Sequence, residues 1–292
     1  MVEIMEDNRR WREYPDFHIM DGKLIKYKGK GFRIEVPYGV TVIGESAFYN
    51  CDSIMNVLLP DTLTAIEESA FSMCTNLTDI RIPDGVTNIA KAAFSGCTSL
   101  ANVILSNSLT NIAEYAFSKC TNLRTLVIPN NVKYIGKSAF YMCNQLFSVQ
   151  FPNKIRTLEV STFEECRALL KVELPESVEV IQSSVFQNCA GLEEIYLPSN
   201  IKQIESMAFR GCSALKSISL PVNMSFIENH TFEGCKALES ITIPYNVSGI
   251  GKSVFEGCES LKMITHPATL KPVLKKMFSF GQRLKMKFKI VE

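Results

Sequence analysis

Ten cysteines carry the most reactive side chains of this sequence, and they recur at a constant interval of 23 residues. Thiols in such number could form disulfides, hold zinc or act as nucleophiles. Each cysteine follows a phenylalanine by three residues and precedes Leu, or Ile54 in the first copy, by three residues. These apolar neighbours predict a ladder of reduced, buried thiols. The positions are Cys51, Cys74, Cys97, Cys120, Cys143, Cys166, Cys189, Cys212, Cys235 and Cys258.

The spacing of stacked coils does not by itself exclude disulfides between neighbouring cysteines. Adjacent strands lie about 4.7–4.9 Å apart, and the Cα atoms of bridged cysteines lie about 4.4–6.8 Å apart. Equivalent side chains of successive coils point in parallel, however, and that geometry is poor for bridging. Zinc is disfavoured because no Cys-x-x-Cys occurs and His18, His230 and His266 do not group with the thiols. We therefore predict no metal and no cofactor.

Catalytic motifs are also missing from the rest of the sequence. Gly-x-Ser-x-Gly, the P-loop and His-Glu-x-x-His do not occur. Because the thiols are predicted to be buried rather than activated, a thiol enzyme is disfavoured. The sequence predicts a protein that is not an enzyme, and one fast-reacting cysteine would be the sign of the alternative. His266, at an inward-pointing position near the end of the chain, is expected to be partly solvated.

The charge balance limits the classes of partner, and the lack of long apolar segments bears on the cellular compartment. Lys plus Arg number 31 and Asp plus Glu number 30, for a formal net charge of +1. That balance disfavours nucleic-acid binding driven by bulk positive charge, and also a polybasic membrane anchor. No apolar run is long enough to span a bilayer, and residues 1–16 show no apolar core of a signal peptide. A full-length chain of this kind would be expected in the cytoplasm.

The unbroken period predicts stacked coils, each of which buries its apolar face only against its neighbours. In one coil, Val103 and Leu105 are expected to point inward, and Asn102 and Ile104 outward. A proline follows the second inward residue in most copies, with Ser106 as an exception, and it ends the strand because it lacks an N–H.

The Ala-Phe-x-x-Cys segment is predicted to lie opposite the strand, as a short helical turn or an irregular segment. Ser138 is predicted to cap such a helical turn. The fold class is therefore an α/β solenoid. The residues that represent its structural ladder are Phe94, Cys97, Phe117, Cys120, Phe140 and Cys143.

Both ends of the predicted stack depart from the repeat. Asp21-Gly22 between apolar runs indicates a type I′ β-hairpin, which would cap the N-terminal end. Trp11 and Tyr14, in the polar lead-in of residues 1–15, are expected to fold back on the first coil. The predicted divisions are an N-terminal segment with the capping hairpin (1–30), the solenoid of ten repeats (31–267) and a degenerate C-terminal capping repeat (268–292).

The C-terminal repeat has lost its cysteine but keeps four apolar residues in step with the period. These residues are Leu270, Val273, Phe278 and Leu284. The stretch Lys285–Ile290 then alternates strictly, with lysine on one face, which is typical of an edge strand protected by charge.

The repeat resembles the BspA-like type of leucine-rich repeat, with the pattern L-x-x-I-x-I-P-x-x-V-x-x-I-x-x-x-A-F-x-x-C. One copy consists of Leu77, Ile80, Ile82, Pro83, Val86, Ile89, Ala93, Phe94 and Cys97. The resemblance covers about Gly31 to Leu284, with departures such as Leu158 for Ile and Thr162 for Ala. It implies a curved, right-handed superhelix with parallel strands on its concave side. It also implies a secreted or surface protein of bacteria or some protists, linked to adhesion.

The outward positions of the strands form the face on which a solenoid is expected to bind its partner. Leu58, Ile104 and Val127 are apolar where solvent favours polar side chains, although exposed apolar residues are common and β-branched residues suit strands. Tyr196 near the Ser-rich C-terminal strands is a second possibility, because Tyr is enriched at interface hot spots. The predicted binding residues are Leu58, Arg81, Ile104, Val127, Glu173 and Tyr196.

The function predicted from this face is protein–protein interaction without catalysis. The partner is an unidentified protein, of a host or of a cell surface, and we expect a monomer that binds no nucleic acid and inserts into no membrane. One alternative is a carbohydrate-binding surface protein, which would favour rows of exposed aromatic residues, and Tyr196 alone fits. The other alternative is an intracellular scaffold.

Overall fold

The structure, a computed structural model, describes residues 11–278 and 286–291, without the side chains of Arg12 and Val291. The predicted lead-in over residues 1–10, Leu284 and Lys285 lie outside the described residues. The chain divides into two compact units, unit 1 (Met1–Leu146) and unit 2 (Phe147–Glu292). Each unit is a β-solenoid of 23-residue coils, and the three divisions expected from the sequence remain a prediction.

Unit 1 contains a hairpin and, in each of its coils, one strand of three residues and one of two. The hairpin consists of β1 (Phe17–Met20) and β2 (Lys23–Tyr27). The three-residue strands are β3 (Arg33–Glu35), β5 (Asn56–Leu58), β7 (Asp79–Arg81), β9 (Asn102–Ile104) and β11 (Thr125–Val127). The two-residue strands are β4 (Val42–Ile43), β6 (Ala65–Ile66), β8 (Asn88–Ile89), β10 (Asn111–Ile112) and β12 (Tyr134–Ile135).

Unit 2 repeats the same two kinds of strand and ends in a different way. Its longer strands are β13 (Ser148–Gln150), β15 (Lys171–Glu173), β17 (Glu194–Tyr196), β19 (Ser217–Ser219), β21 (Ser240–Thr242), β23 (Met263–Pro267) and β24 (Lys287–Val291). Its two-residue strands are β14 (Thr157–Leu158), β16 (Val180–Ile181), β18 (Gln203–Ile204), β20 (Phe226–Ile227) and β22 (Gly249–Ile250).

The strands of successive coils pair in parallel at an offset of one repeat. In unit 1 the sheets are β3-β5-β7-β9 and β1-β2-β4-β6-β8-β10-β12, and a typical register is Ile112↔Ile135. In unit 2, β15 pairs with β17. The strands β19, β21, β23 and β24 form a separate sheet in that order. This register superposes equivalent side chains, so the apolar residues of each position form continuous buried columns between the two sheets.

The N-terminal hairpin has the predicted turn. Asp21 (φ 49°) and Gly22 (φ 71°) both adopt positive φ, as a type I′ turn requires, and β1 and β2 pair antiparallel. β2 also pairs in parallel with β4, which joins the hairpin to the sheet of two-residue strands. Trp11, in a 3₁₀ turn (Trp11–Glu13), is buried, whereas Tyr14 is exposed.

The Ala-Phe-x-x-Cys segments are irregular, so the helical form of the prediction is wrong. Within one coil the N–H of Cys120 donates to the carbonyl of Phe117 (3.2 Å). The N–H of Phe117 itself donates to Ala139 of the next coil (2.8 Å). Backbone donors thus alternate between local turns and the neighbouring coil, and they cannot also form the i→i−4 ladder of a helix.

Ser138 is not a helix cap, contrary to the prediction, because it adopts a left-handed conformation (φ 54°) whereas an N-cap is extended. Two positions of the coil share positive φ. The first is occupied by Ser46, Ser69, Ala92, Tyr115, Ser138, Ser161, Ser184, Met207, His230 and Ser253. The second is occupied by Asn50, Met73, Gly96, Lys119, Met142, Glu165, Asn188, Gly211, Gly234 and Gly257.

Replacing Lys119 with glycine is expected to raise the free energy of unfolding by about 0.5–1 kcal/mol, because a residue with a Cβ is strained at positive φ. Lys119 (φ 62°) is exposed, and Gly96 occupies the same position one coil earlier. Urea denaturation would measure the change. Lys119→Ala, which removes the side chain but keeps the Cβ, is the matched control, and an alanine variant as stable as the glycine variant would contradict the explanation.

The C-terminal repeat is helical where a degenerate coil was predicted. A 3₁₀ turn (Ala268–Leu270) continues into the helix α1 (Lys271–Met277). Leu270 and Phe278 are buried as predicted, but Val273 is 38% exposed and Leu274 is buried in its place. The reason is that residues four apart share one side of a helix, so Leu274 follows Leu270 inward.

His266 is buried, with 1% of its surface exposed, so the expectation of partial solvation is wrong. β24 pairs in parallel with β23 and places Ile290 opposite His266. The Nδ1 atom of His266 lies 2.9 Å from the carbonyl oxygen of Pro267, and the ring meets Phe288 edge-on at 6.1 Å. On the other face of the predicted edge strand, Lys287 and Lys289 are exposed.

Candidate functional site

The phenylalanine column fills the centre of each unit. In unit 1 the rings of Phe94, Phe117 and Phe140 are fully buried and nearly parallel, with centroids 5.2 and 5.6 Å apart. In unit 2 the column runs from Phe163 to Phe278 with the same stacking. Offset stacking of this kind stabilises beyond the burial of area, so these residues build the scaffold and are not accessible to a ligand.

The cysteine column is hydrogen-bonded as well as buried, which sequence reasoning missed. The Sγ of Cys120 donates to the carbonyl of Phe94 (3.2 Å), and that of Cys143 donates to Phe117 (3.3 Å). The same carbonyl of Phe94 also accepts from the N–H of Cys97 (3.2 Å). The thiol therefore joins each coil to the preceding one, a role that requires a donor as well as a small apolar side chain.

Burial makes these thiols poor nucleophiles. It raises the pKa of Cys97 and Cys120 well above the usual value, and that of Cys74 and Cys258 to about 12. The thiols are reduced rather than bridged, as predicted. In the part of the chain that the structure describes, no three His, Cys, Asp or Glu residues group as metal ligands. The cysteine column thus supplies structure, and the candidate site has to be sought on the surface.

Four successive coils of unit 1 each contribute one outward residue to the same position of the strand. We call this set the Leu58–Val127 column; it consists of Leu58, Arg81, Ile104 and Val127. Leu58, Ile104 and Val127 expose 57%, 60% and 61% of their surface. Arg81 lies opposite Ile104 in the register of β7 and β9. It forms no ion pair within residues 11–278 and 286–291. The four predicted residues of unit 1 are thus brought into one row.

The neighbouring row of the same strands is polar and internally bonded. The Nδ2 of Asn102 donates to Oδ1 of Asp79 (2.6 Å). Two exposed apolar residues that the sequence reasoning missed precede the strands: Phe32 (67% exposed) before β3 and Met55 (48%) before β5. Their positions precede the strands and so lie outside the alternation that identifies outward residues. The outer surface of unit 1 is therefore more apolar than predicted.

The two predicted residues of unit 2 lie on adjacent strands. β15 pairs with β17 so that Glu173 stands opposite Tyr196, and Tyr196 is 75% exposed. The Nζ of Lys171 forms an ion pair with Oε1 of Glu173 (2.8 Å). Its hydrogen bond to Glu173 raises the pKa of Lys171. Beside Tyr196 a shallow cavity of about 300 Å³ is lined by Glu194, Ser217 and Ser219. Unit 2 thus offers a polar surface of a different character.

The repeat shown by these two units can be compared with known families. The family model described as BspA type Leucine rich repeat region (6 copies) matches residues 27–145, 66–193 and 180–290. The chain belongs to the BspA-type leucine-rich repeat family. The family is typically non-enzymatic.

Solved structures of two other proteins have a similar fold. A leucine-rich repeat protein from Bacteroides ovatus ATCC 8483 is 24% identical over 93% of this chain and 94% of its own, with a TM-score of 0.58. The pneumococcal vaccine antigen PcpA is 23% identical over 89% of this chain and 79% of its own, with a TM-score of 0.58. A comparison with curated proteins gives no match. This BspA-type chain contains no helix long and apolar enough to cross a membrane among its described residues.

Proposed function

We propose that this BspA-type protein is a non-enzymatic module for protein–protein interaction, which binds its partner on the strand face of unit 1. The observation that carries the proposal is the Leu58–Val127 column. Its three aliphatic side chains are more than half exposed although they lie on regular strands. Exposed apolar residues grouped on one strand face are typical of protein contact surfaces.

The unpaired charge of Arg81 narrows the chemistry of the partner. Arg81 belongs to the coil between those of Leu58 and Ile104, and it forms no ion pair in the described chain. A partner that covered the column would remove this charge from water, which is costly unless a carboxylate accepts its hydrogen bonds. The complementary surface is therefore an acidic side chain flanked by apolar ones.

Several finer features belong to the same proposal. The solenoid is right-handed, its three-residue strands lie on the concave side, and the hairpin β1–β2 caps its N-terminal end. The protein acts as a monomer and binds neither nucleic acid nor cofactor. Its partner is a host or cell-surface protein, which the adhesive role implied by the family resemblance supports.

The triple variant Leu58→Glu, Ile104→Glu and Val127→Glu is expected to weaken partner binding by more than about tenfold, because three carboxylates would replace the apolar contacts at the centre of the surface. Purified extracellular-matrix proteins, each immobilised separately, are the probes, and surface plasmon resonance gives the affinity. A cell lysate run in parallel tests the intracellular scaffold, and capture from lysate alone would overturn the adhesive role.

A matched control separates the column from a general effect of charge. Tyr49, Met73 and Tyr134 are also exposed apolar residues of unit 1, between 42% and 50%, and lie outside the column. The variant Tyr49→Glu, Met73→Glu and Tyr134→Glu carries the same added charge and should bind as the unaltered protein does. Equal losses in the two triple variants would refute the assignment of the site.

A further inference from the structure

Three adjacent strands of unit 2, β19, β21 and β23, carry five outward hydroxyl groups that form no hydrogen bond within the described chain. β19, β21 and β23 pair in parallel, and their registered outward positions bring these groups together on three adjacent strands. Hydroxyls at other positions of the coil donate to a carbonyl one repeat earlier, as Ser248 does to Ser225 (3.2 Å). The five belong to Ser217, Ser219, Ser240, Thr242 and Thr265.

An exposed aromatic ring borders this hydroxyl cluster. Tyr196 lies on β17, in the coil before β19, and 75% of its surface is exposed. The cavity of about 300 Å³ between the coils is lined by Tyr196, Ser217 and Ser219, with Glu194 at its side. The volume of this cavity is at the lower limit of known ligand pockets.

We propose that Tyr196 and the hydroxyl cluster form a binding site for a neutral saccharide. A sugar ring has an apolar face, which packs on an aromatic ring, and hydroxyls at its rim, which exchange hydrogen bonds with protein hydroxyls. Because the five hydroxyls have no partner within the described chain, a ligand can bond to them without breaking an internal hydrogen bond. The carboxylate of Glu194 accepts hydrogen bonds from sugar hydroxyls and repels anionic ligands.

This proposal does not depend on the protein-binding column, because its residues lie on other strands in the other unit. The strand face of unit 2 also lacks the apolar row of unit 1: the positions equivalent to Ile104 and Val127 hold Ser219 and Thr242. A polar surface of this kind fits a hydrated ligand better than an apolar one. The two proposals can therefore fail separately.

Titration with neutral hexasaccharides tests the proposal by NMR. Cellohexaose, chitohexaose, maltohexaose, xylohexaose and mannohexaose are the probes, and sialyllactose is the anionic comparison. At least one neutral probe is expected to give saturable shifts, which Tyr196→Ala should weaken by about tenfold or more. Sialyllactose should give none.

Tyr245→Ala is the matched control. Tyr245 is 68% exposed in the same unit, but it comes after the end of β21 and is not part of the hydroxyl cluster. It should leave binding unchanged, as should the triple glutamate variant of unit 1. Circular dichroism would show that Tyr196→Ala is folded. Absence of saturable binding to all neutral probes, or an equal effect of the two tyrosine variants, would overturn the proposal.

Discussion

Replacing Phe117 with alanine is expected to lower the free energy of unfolding of unit 1 by about 3–5 kcal/mol, the cost of a large cavity in a close-packed core. The ring is fully buried and stacks on Phe94 and Phe140 with centroids 5.2 and 5.6 Å away. Each coil contacts only its neighbours, so no distant part of the solenoid can fill the space. Urea denaturation followed by circular dichroism measures the loss.

Phe32→Ala is the matched control for this experiment. Phe32 belongs to the same unit, but 67% of its surface is exposed, so the same truncation creates no internal cavity. Its effect should stay within about 0.5 kcal/mol, the usual range for surface substitutions. A loss for Phe117→Ala no larger than that for Phe32→Ala would contradict the assignment of the phenylalanine column to the core.

The second large effect is a steep loss of stability at alkaline pH. Burial raises the pKa of the thiols in unit 1, to about 12 for Cys74 and well above the usual value for Cys97 and Cys120. The native state thus keeps protons that the unfolded chain, with thiol pKa values near 8.5, releases. Stability is full below pH ~8.5 and falls as pH rises, by about 1.4 kcal/mol per pH unit for each such thiol.

The double variant Cys97→Ala and Cys120→Ala isolates the thiol contribution. It removes two of the shifted groups, so its free energy of unfolding should fall with pH less steeply than that of the unaltered protein, by about 2.7 kcal/mol per pH unit. Measurements between pH 9 and 11 under reducing conditions give both slopes. Tyrosines and lysines ionise equally in both proteins, so parallel curves would show that the thiols are not buried as described.

The 23-residue period predicts most of this fold, because the same apolar positions recur in every coil. Every phenylalanine of the repeat is buried, as are eight of its ten cysteines, and Asp21-Gly22 forms its hairpin turn as expected. Apolar residues that recur at a fixed interval have one simple solution, a stack of equivalent coils. The family, the buried thiols and the outward positions of the strands follow from that period.

The wrong predictions concern positions where backbone hydrogen bonds or a neighbouring strand, rather than the side-chain pattern, determine the local structure. Ser138 is a residue type that often caps helices, yet it adopts a left-handed conformation. The backbone N–H groups of the Ala-Phe-x-x-Cys segments donate alternately to local turns and to carbonyls of the next coil, so no helix forms there. His266 was expected to meet solvent because nothing in the local sequence shows that β24 returns to cover it. The exposure of Val273 reflects a switch to helix at the end of the repeat.

The candidate site was predictable only in part. Alternation along the strands is sufficient to select Leu58, Ile104 and Val127 as outward residues, and they are exposed. Their role in binding stays a prediction, because exposure alone does not identify a partner. The absence of internal partners for the hydroxyls of unit 2 depends on three-dimensional bonding, which no sequence pattern shows.

Site-specific photo-cross-linking tests the proposed interaction surface most directly. A photoreactive residue at position 104, in the Leu58–Val127 column, is compared with one at position 49, on the exposed turn of the same unit. We expect a partner from the matrix-protein panel to become linked through position 104 and not through position 49. Linkage through position 49 alone, or equal linkage through both, would contradict it.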